Sequence, residues 1–551
     1  MLPRLGRSPD CNTFAVDFRG RNRNCMGMMR VIFLFISCLT MLLALGAPGS
    51  AAAAGQAKYF ILVVWDGMRP DFVSAELTPT LDGLRHRGVW FANHHSVYPT
   101  STEVNGTVLA TGAFPEHSHI SANSEYRREI DPLQPYGSQS LRAVRLGDSL
   151  TDGHYIGLPT LAEQVQAQDL HTAVVGAKPV ALLHDRKVRN DDSPNPVWYA
   201  EGSLPASRMA GLTNLLGVFP AGASPNVGRD QWAARCLTES FWSGAELPRY
   251  SVLWLSEPDY SQHAHGPGSP EALAGIRNCD DRLATVLHEL DRRGVRDQTD
   301  IIVVSDHGFS TIGANCDVGE SLRAAGLNAK TTWAQPPQDG DVVVVGNGGS
   351  VMLYVVGQSP TVTAQVVAAL QQQAFAGVIF TKAGLPGTFP LAEVHVGGAT
   401  APDVIVSTRW QRLPATNEHP HIEVFNDGYH EYSAGCGMHV TLSPTDLHNT
   451  CAAAGPDFRS GVVDPLPSGN IDVVPTLLWL MNVKPAQPLD GRVLSEALVG
   501  SGPPLQTVQL EHREAHGTVA GGTWDQYLNF TELNGVRYLD EGNGKWTGAG
   551  K

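Results

Sequence analysis

Several things are missing from this 551-residue sequence, and each absence removes a class of function. It has only eight cysteines, and none sits in a C-x-x-C pair. That argues against a cysteine zinc site. Positive charge is scarce: 39 Lys and Arg face 54 Asp and Glu, for a formal net charge of −15. Bulk binding along a nucleic acid backbone, which needs basic patches, is disfavoured. No apolar run reaches the ~20 residues that span a bilayer comfortably. There is no internal repeat and no long low-complexity segment.

The longest apolar run, Val31 to Gly46, follows Arg30 and precedes a small-residue stretch, Ala47 to Gly55. A basic start, a short apolar stretch and an A-x-A-like site near Ala51–Ala54 make a secretory signal. The expectation is a periplasmic or secreted protein lacking residues 1–54, with Met28 or Met29 a better start than Met1. An uncleaved anchor is the competing reading. Cleavage removes six arginines and two aspartates, so the remainder is more acidic still. Five cysteines would remain, Cys236, Cys279, Cys316, Cys436 and Cys451, so at most two disulfides form and one thiol is left over.

Short apolar runs at Tyr59–Trp65, Ser251–Ser256 and Asp300–Ser305 have the character of strands buried on both faces of a parallel sheet. Between the last two, Leu273, Ile276, Leu283, Val286, Leu287 and Leu290 share one helical face, and Gly294 supplies a stop. Strand, helix, strand is a βαβ unit, which predicts an α/β fold with a largely parallel central sheet covered by helices. Residues 55–310 are expected to form the first part of the core and 431–500 its last part. Residues 311–430 form an inserted cap whose hairpin pairs Asp341–Val345 with Val351–Val356 across Gly346-Asn347-Gly348-Gly349. The tail, 501–551, carries short strand-like pieces and a turn at Asn534-Gly535.

In open α/β sheets, ligands bind beyond the carboxyl ends of the strands. After the first run comes Asp66, after the second Asp259 and His263 (EPDYSQH), and after the third Asp306 and His307 (SDHG). Carboxylates and imidazoles together are the donors for zinc where cysteine is not used. Each piece also has a plain structural reading, as a turn, a helix cap or a surface histidine. Thr102, in YPTSTEVNG, falls near the start of a small-residue helical segment, where free N–H groups favour anions. Spacing alone makes Ser101 or Thr102 an N-cap.

WDGMRPD at 65–71, PTSTEVN at 99–105, EPDYSQH at 257–263, SDHG at 305–308 and GMH at 437–439 occur in this order. Together the five segments, spread over residues 59–490, resemble the motif set of the nucleotide pyrophosphatase/phosphodiesterase family of the alkaline phosphatase superfamily. The resemblance implies an alkaline-phosphatase-like fold and two zinc ions, with other divalent transition metals also suited. It places one ion on Asp66, Thr102, Asp306 and His307, and the other on Asp259, His263 and His439. It implies that Thr102 attacks phosphorus, that a phospho-threonine is hydrolysed, and that Asn105 donates to a non-bridging oxygen. The implied partner is a small phosphorylated substrate such as a nucleotide. Glu103, Lys178 and Tyr126 (with Arg127 beside it) are further candidates for contact with substrate, each also readable as structural.

Three positions depart from the family pattern. Glu103 stands where nucleotide-handling members usually carry an aromatic residue for base stacking. Gln262 and Val440 stand where glycine is common. Glu103 keeps two alternatives open on the same metals, hydrolysis of phosphate monoesters and of phosphonates such as phosphonoacetate. The C-x-P-S-R signature of sulfatases is absent. A non-catalytic exported binding protein on this scaffold is the alternative from a different class.

Overall fold

The computed structural model describes residues 55–416, 419–428, 432–500 and 502–548. The expected signal segment lies outside them. Among the described residues no helix is long and apolar enough to cross a membrane.

A nine-stranded sheet forms the centre. Its strands are β1 (Tyr59–Trp65), β2 (Val89–His95), β3 (Thr172–Gly176), β4 (Val197–Tyr199), β5 (Ser203–Leu204), β6 (Tyr250–Leu255), β7 (Thr299–Val304), β8 (Cys451–Ala454) and β9 (Val462–Gly469). They lie in the order β9-β2-β8-β7-β1-β6-β3-β4-β5. β7, β1, β6, β3 and β4 run parallel to one another, while β8 runs antiparallel between β2 and β7 and β5 runs antiparallel to β4. Every residue of β1, β6 and β7 is buried. Two apolar clusters, one on each face, account for the unbroken hydrophobic runs.

Helix α1 spans Thr102–Thr111, α2 Asp259–His265 and α3 Pro270–Arg292. α3 carries the expected apolar face and is capped by the Ser269 hydroxyl, which accepts the Ala272 N–H. Gly294 follows at φ 65°, the left-handed conformation that ends the turn.

Residues 329–408 build a separate six-stranded sheet. It includes the antiparallel pairing of Val342–Gly346 with Ser350–Val355. A four-stranded sheet joins Trp410–Thr416, His419–Asn426, Ser310–Asn315 and Gly437–Met438. The tail differs from the short pieces expected. Gln509–Val519, Gly522–Leu533 and Val536–Gly548 are strands of 11, 12 and 13 residues in one antiparallel meander. In the second and third strands inward apolar residues are interleaved with polar outward ones, and in the first no residue is buried, which hides the pattern in composition. Asn534 and Gly535 do form a turn, both with positive φ. The five described cysteines are all unpaired.

Candidate active site

The spatial order β7-β1-β6-β3 puts four parallel strand ends side by side, and each delivers a charged residue. Asp66 follows β1, Lys178 follows β3, Asp259 opens the helix after β6, and Asp306 and His307 follow β7. Gly67 adopts φ 72°, where any side chain would strike the Phe309 ring at about 3 Å. The bend lets the Gly67 N–H donate to Asp306 Oδ1 (2.9 Å), and the Asp259 N–H donates to the Asp66 carbonyl (2.9 Å). Gln262 extends this bracing, its amide donating to the Gly67 carbonyl at 2.8 Å.

Thr102 opens α1. Ser101 occupies the cap position, but its hydroxyl makes no cap hydrogen bond. Thr102 Oγ1 instead lies 3.3 Å from His307 Nε2. The same Nε2 is 3.6 Å from Asp66 Oδ1 and 3.3 Å from Asp306 Oδ2. A second group centres on Asp259 Oδ1, at 3.2 Å from His263 Nε2 and 3.7 Å from His439 Nε2. His439 arrives from the strand Gly437–Met438, which pairs with Ser310–Asn315 just beyond His307. His439 and His307 stack with ring centroids 3.7 Å apart.

These groups fit cations. Ligands about 2.0–2.2 Å from a tetrahedral ion lie roughly 3.3–3.6 Å from one another, close to the spacings above. Three oxygens that face these contacts, Asp66 Oδ1, Asp259 Oδ1 and Asp306 Oδ2, are buried and have no hydrogen-bond partner among the described residues. An unpaired buried carboxylate oxygen is costly unless something positive meets it. The imidazoles are set to donate lone pairs inward, because each Nδ1 faces a backbone carbonyl: His307 with Gly308, His263 with Gly437, His439 with Thr100. That arrangement fixes the tautomer of a metal-binding histidine.

Lys178 supplies the one ammonium in this cluster, donating to Asp259 Oδ2 (2.8 Å) and lying 3.0 Å from Asp66 Oδ2. Burial raises the Asp66 pKa well above its ordinary value, and the Asp306 charge adds to the effect. Burial pushes Asp306 up to about 7. Burial also opposes ionisation of Asp259, but Lys178 and His263 outweigh it and hold that carboxyl well below its usual range. His439 is driven well below the ordinary imidazole value by burial and by its histidine neighbours.

Other expectations fare differently. Asn105 does not present its amide to the site. Its Nδ2 donates to the Val97 carbonyl (2.9 Å), and its Oδ1 accepts the Val97 and Asn470 N–H groups. The reason is local: the side chain closes the loop that carries Thr102. Asn123, which sequence reasoning missed, accepts the Glu103 N–H on its Oδ1 (3.0 Å), beside Thr102, and among the described residues its Nδ2 has no protein partner. Tyr126 packs into an apolar cluster with Trp333 and Tyr354 and donates to the Pro132 carbonyl. Arg127 is paired with buried Glu125. Glu103 is buried beside Thr102 with Oε2 unpartnered, and burial pushes its pKa up to about 7.

The family model described as type I phosphodiesterase / nucleotide pyrophosphatase matches residues 60–433. Human ectonucleotide pyrophosphatase/phosphodiesterase family member 7 is 24% identical over 283 residues, 51% of this chain and 54% of the relative. The mouse bis(5'-adenosyl)-triphosphatase is 23% identical over 276 residues, 50% of this chain and 52% of the relative. The chain thus spans about half the length of these curated relatives. The solved structure of murine ectonucleotide pyrophosphatase/phosphodiesterase 5 superposes with a TM-score of 0.56 at 16% identity, covering 80% of this chain and all of that one. A threonine-to-alanine variant of that murine protein, described as inactive, is in complex with AMP; its TM-score is 0.56 at 17% identity, with the same coverage of both chains.

Proposed function

The chain belongs to the type I phosphodiesterase / nucleotide pyrophosphatase family, and from that premise we propose that it is an exported hydrolase of phosphodiester or pyrophosphate bonds that uses Thr102 as nucleophile. One observation carries the reading: a hydroxyl at a helix N-terminus lies 3.3 Å from His307 Nε2, among carboxylate oxygens left bare in a buried site. Two divalent cations, zinc by the character of the donors, would be held by Asp66, Thr102, Asp306 and His307 and by Asp259, His263 and His439; when bound they supply charge neutralisation and Lewis acidity at phosphate oxygens.

The protein's own groups do the rest. Thr102 Oγ1 forms a bond to phosphorus as the bond to the leaving oxygen breaks, and water then cleaves the Thr102 adduct and restores the hydroxyl. The N-terminus of α1 points free N–H groups toward the anion. Asn123 Nδ2, beside the peptide that follows Thr102, takes the non-bridging-oxygen role that Asn105 cannot fill. Lys178 orients Asp66 and Asp259 through their second oxygens, leaving the first oxygens for the cations. Export rests on the Arg30 to Ala54 pattern and on relatives named as ectoenzymes.

Glu103 favours a second reading, since a buried carboxyl beside the nucleophile offers no stacking surface for a base. Phosphate monoesters or phosphonates would then be the substrates. All seven expected ligands are gathered in one place, which speaks against a non-catalytic binding protein. The deciding experiment is a substrate panel on zinc-loaded protein, with Thr102→Ala as blank. Bis-p-nitrophenyl phosphate and dinucleoside polyphosphates should be turned over faster than p-nitrophenyl phosphate and phosphonoacetate. Preference for the monoester or the phosphonate would transfer the assignment to the second reading.

A further inference from the structure

Away from the reacting groups, His95, His448 and Asp540 bring three potential ligand atoms within 4.8 Å of one another. They come from distant parts of the chain. His95 ends β2, His448 lies in the loop before β8, and Asp540 belongs to the last strand of the C-terminal meander. His95 and His448 form an isolated antiparallel bridge, and their rings are 4.4 Å apart.

The hydrogen bonding of His95 sets this cluster apart from an ordinary polar contact. Its Nδ1 faces the Ser468 carbonyl at 2.9 Å, and its Nε2 faces Asp540 Oδ1 at 3.0 Å. Both partners are acceptors, while a neutral imidazole has one N–H. With Nδ1–H given to the carbonyl, the Nε2 lone pair points at a carboxylate, and either a second ring proton or a cation must lie between them. The catalytic cluster repeats the pattern: His263 gives Nδ1–H to the Gly437 carbonyl and turns Nε2 toward Asp259 Oδ1 at 3.2 Å. Asp540 is braced as a ligand would be, its Oδ2 accepting the Thr531 hydroxyl at 2.7 Å and its Oδ1 left to the cluster. His95 is buried, but Asp540 is 24% exposed, which gives an ion a way in.

We propose that His95, His448 and Asp540 form a third, separate site for a divalent cation of the zinc class, fastening the C-terminal meander to the central sheet. Two imidazoles and one carboxylate with a fourth position for water is a known zinc donor set. Opening the 3.0 Å contact by about 0.4 Å would bring the pair to tetrahedral spacing. The inference rests on no step of the proposed reaction.

Crystals of the full chain soaked in zinc at pH 7.5 should show an anomalous peak at the zinc edge between His95 Nε2 and Asp540 Oδ1. In solution, chelator-stripped wild type should take up one more zinc per chain than Asp540→Asn or His448→Gln, whose thermal transitions report whether they fold. The competing explanation is a protonated His95 paired with Asp540. It predicts no peak there and equal zinc uptake by wild type and variants, and either result overturns the proposal. If both variants fail to fold, the wild-type crystals decide alone.

Discussion

Two sets of buried aspartates divide the molecule into a frame and a reacting face. In the frame Asp230, Asp446 and Asp472 use both carboxylate oxygens. Asp230 accepts the Ser256 N–H and hydroxyl on one oxygen and the Asn278 amide on the other. Asp446 accepts from Ser310 and Thr441. Asp472 accepts from Arg492, Gly469 and Tyr538. At the reacting face Asp66, Asp259 and Asp306 each keep one oxygen bare. Two frame aspartates also have a bare oxygen: burial and Asp457 push Asp300, at the opposite end of β7, up to about 9, and burial pushes Asp464, in β9, up to about 6. Burial is the same in both sets. What differs is whether the protein completes the coordination or leaves an oxygen free for the proposed cation.

That contrast can be broken by paired substitutions. Asp259→Asn should lower kcat/KM for a diester by at least ~10² and remove one bound zinc, with little change in the melting temperature of the metal-free protein. Asp472→Asn should do the reverse, costing about 1–3 kcal/mol of stability in denaturant titrations with metal content retained. If both variants lost stability equally, the division would be wrong. The two asparagines sharpen the same point. Asn123→Ala should cost ~10²–10³ in kcat with a folded protein, whereas Asn105→Ala should show first as a lowered melting temperature.

Several buried polar atoms of the frame lack partners, and His184 lacks them on both sides of its ring. Both ring nitrogens of His184 are buried without partners, and burial lowers its pKa from 6.5 to about 3. The unfolded chain therefore takes up this proton more readily than the folded one. The stability associated with neutral His184 is present above pH 6.5 and is lost as the pH falls toward 3, by up to ~1.4 kcal/mol per unit. His184→Leu should flatten that acid slope in pH-dependent unfolding and leave activity unchanged. The smallest effect concerns Val440, which holds φ 73° beside His439. A β-branched residue is strained there. Val440→Gly relieves that strain but removes a buried side chain and frees the unfolded chain, so the opposing effects should leave stability within about 1 kcal/mol of wild type with zinc content intact, and a larger loss would show that packing outweighs the strain.

The core of the sheet was legible because buried parallel strands are continuous apolar runs. β1 matches its expected bounds, and β6 and β7 each begin one residue earlier. Five of the proposed ligands followed from the rule that such strands deliver polar residues at their carboxyl ends. Thr102 and His439 needed the family resemblance, since a loop histidine and a capping threonine carry no distinguishing periodicity. Asn105 and Asn123 could not be separated by sequence, because which carbonyl an amide meets is settled only by the closed loop. Lys178 was visible as the residue after a strand, but not as the counter-charge of two aspartates. The cluster of His95, His448 and Asp540 left no trace in the sequence. Its members are brought together by β2, the loop before β8 and a meander whose long strands were read as fragments.

The central claim is that the Thr102 hydroxyl attacks phosphorus. Acid-quenching zinc-loaded protein during turnover of bis-p-nitrophenyl phosphate, followed by peptide mass spectrometry, tests it directly. The expected result is a phosphoryl-type mass increase on the peptide containing Thr102, absent in Thr102→Ala. An adduct on another residue, or undiminished turnover by Thr102→Ala, would contradict the account.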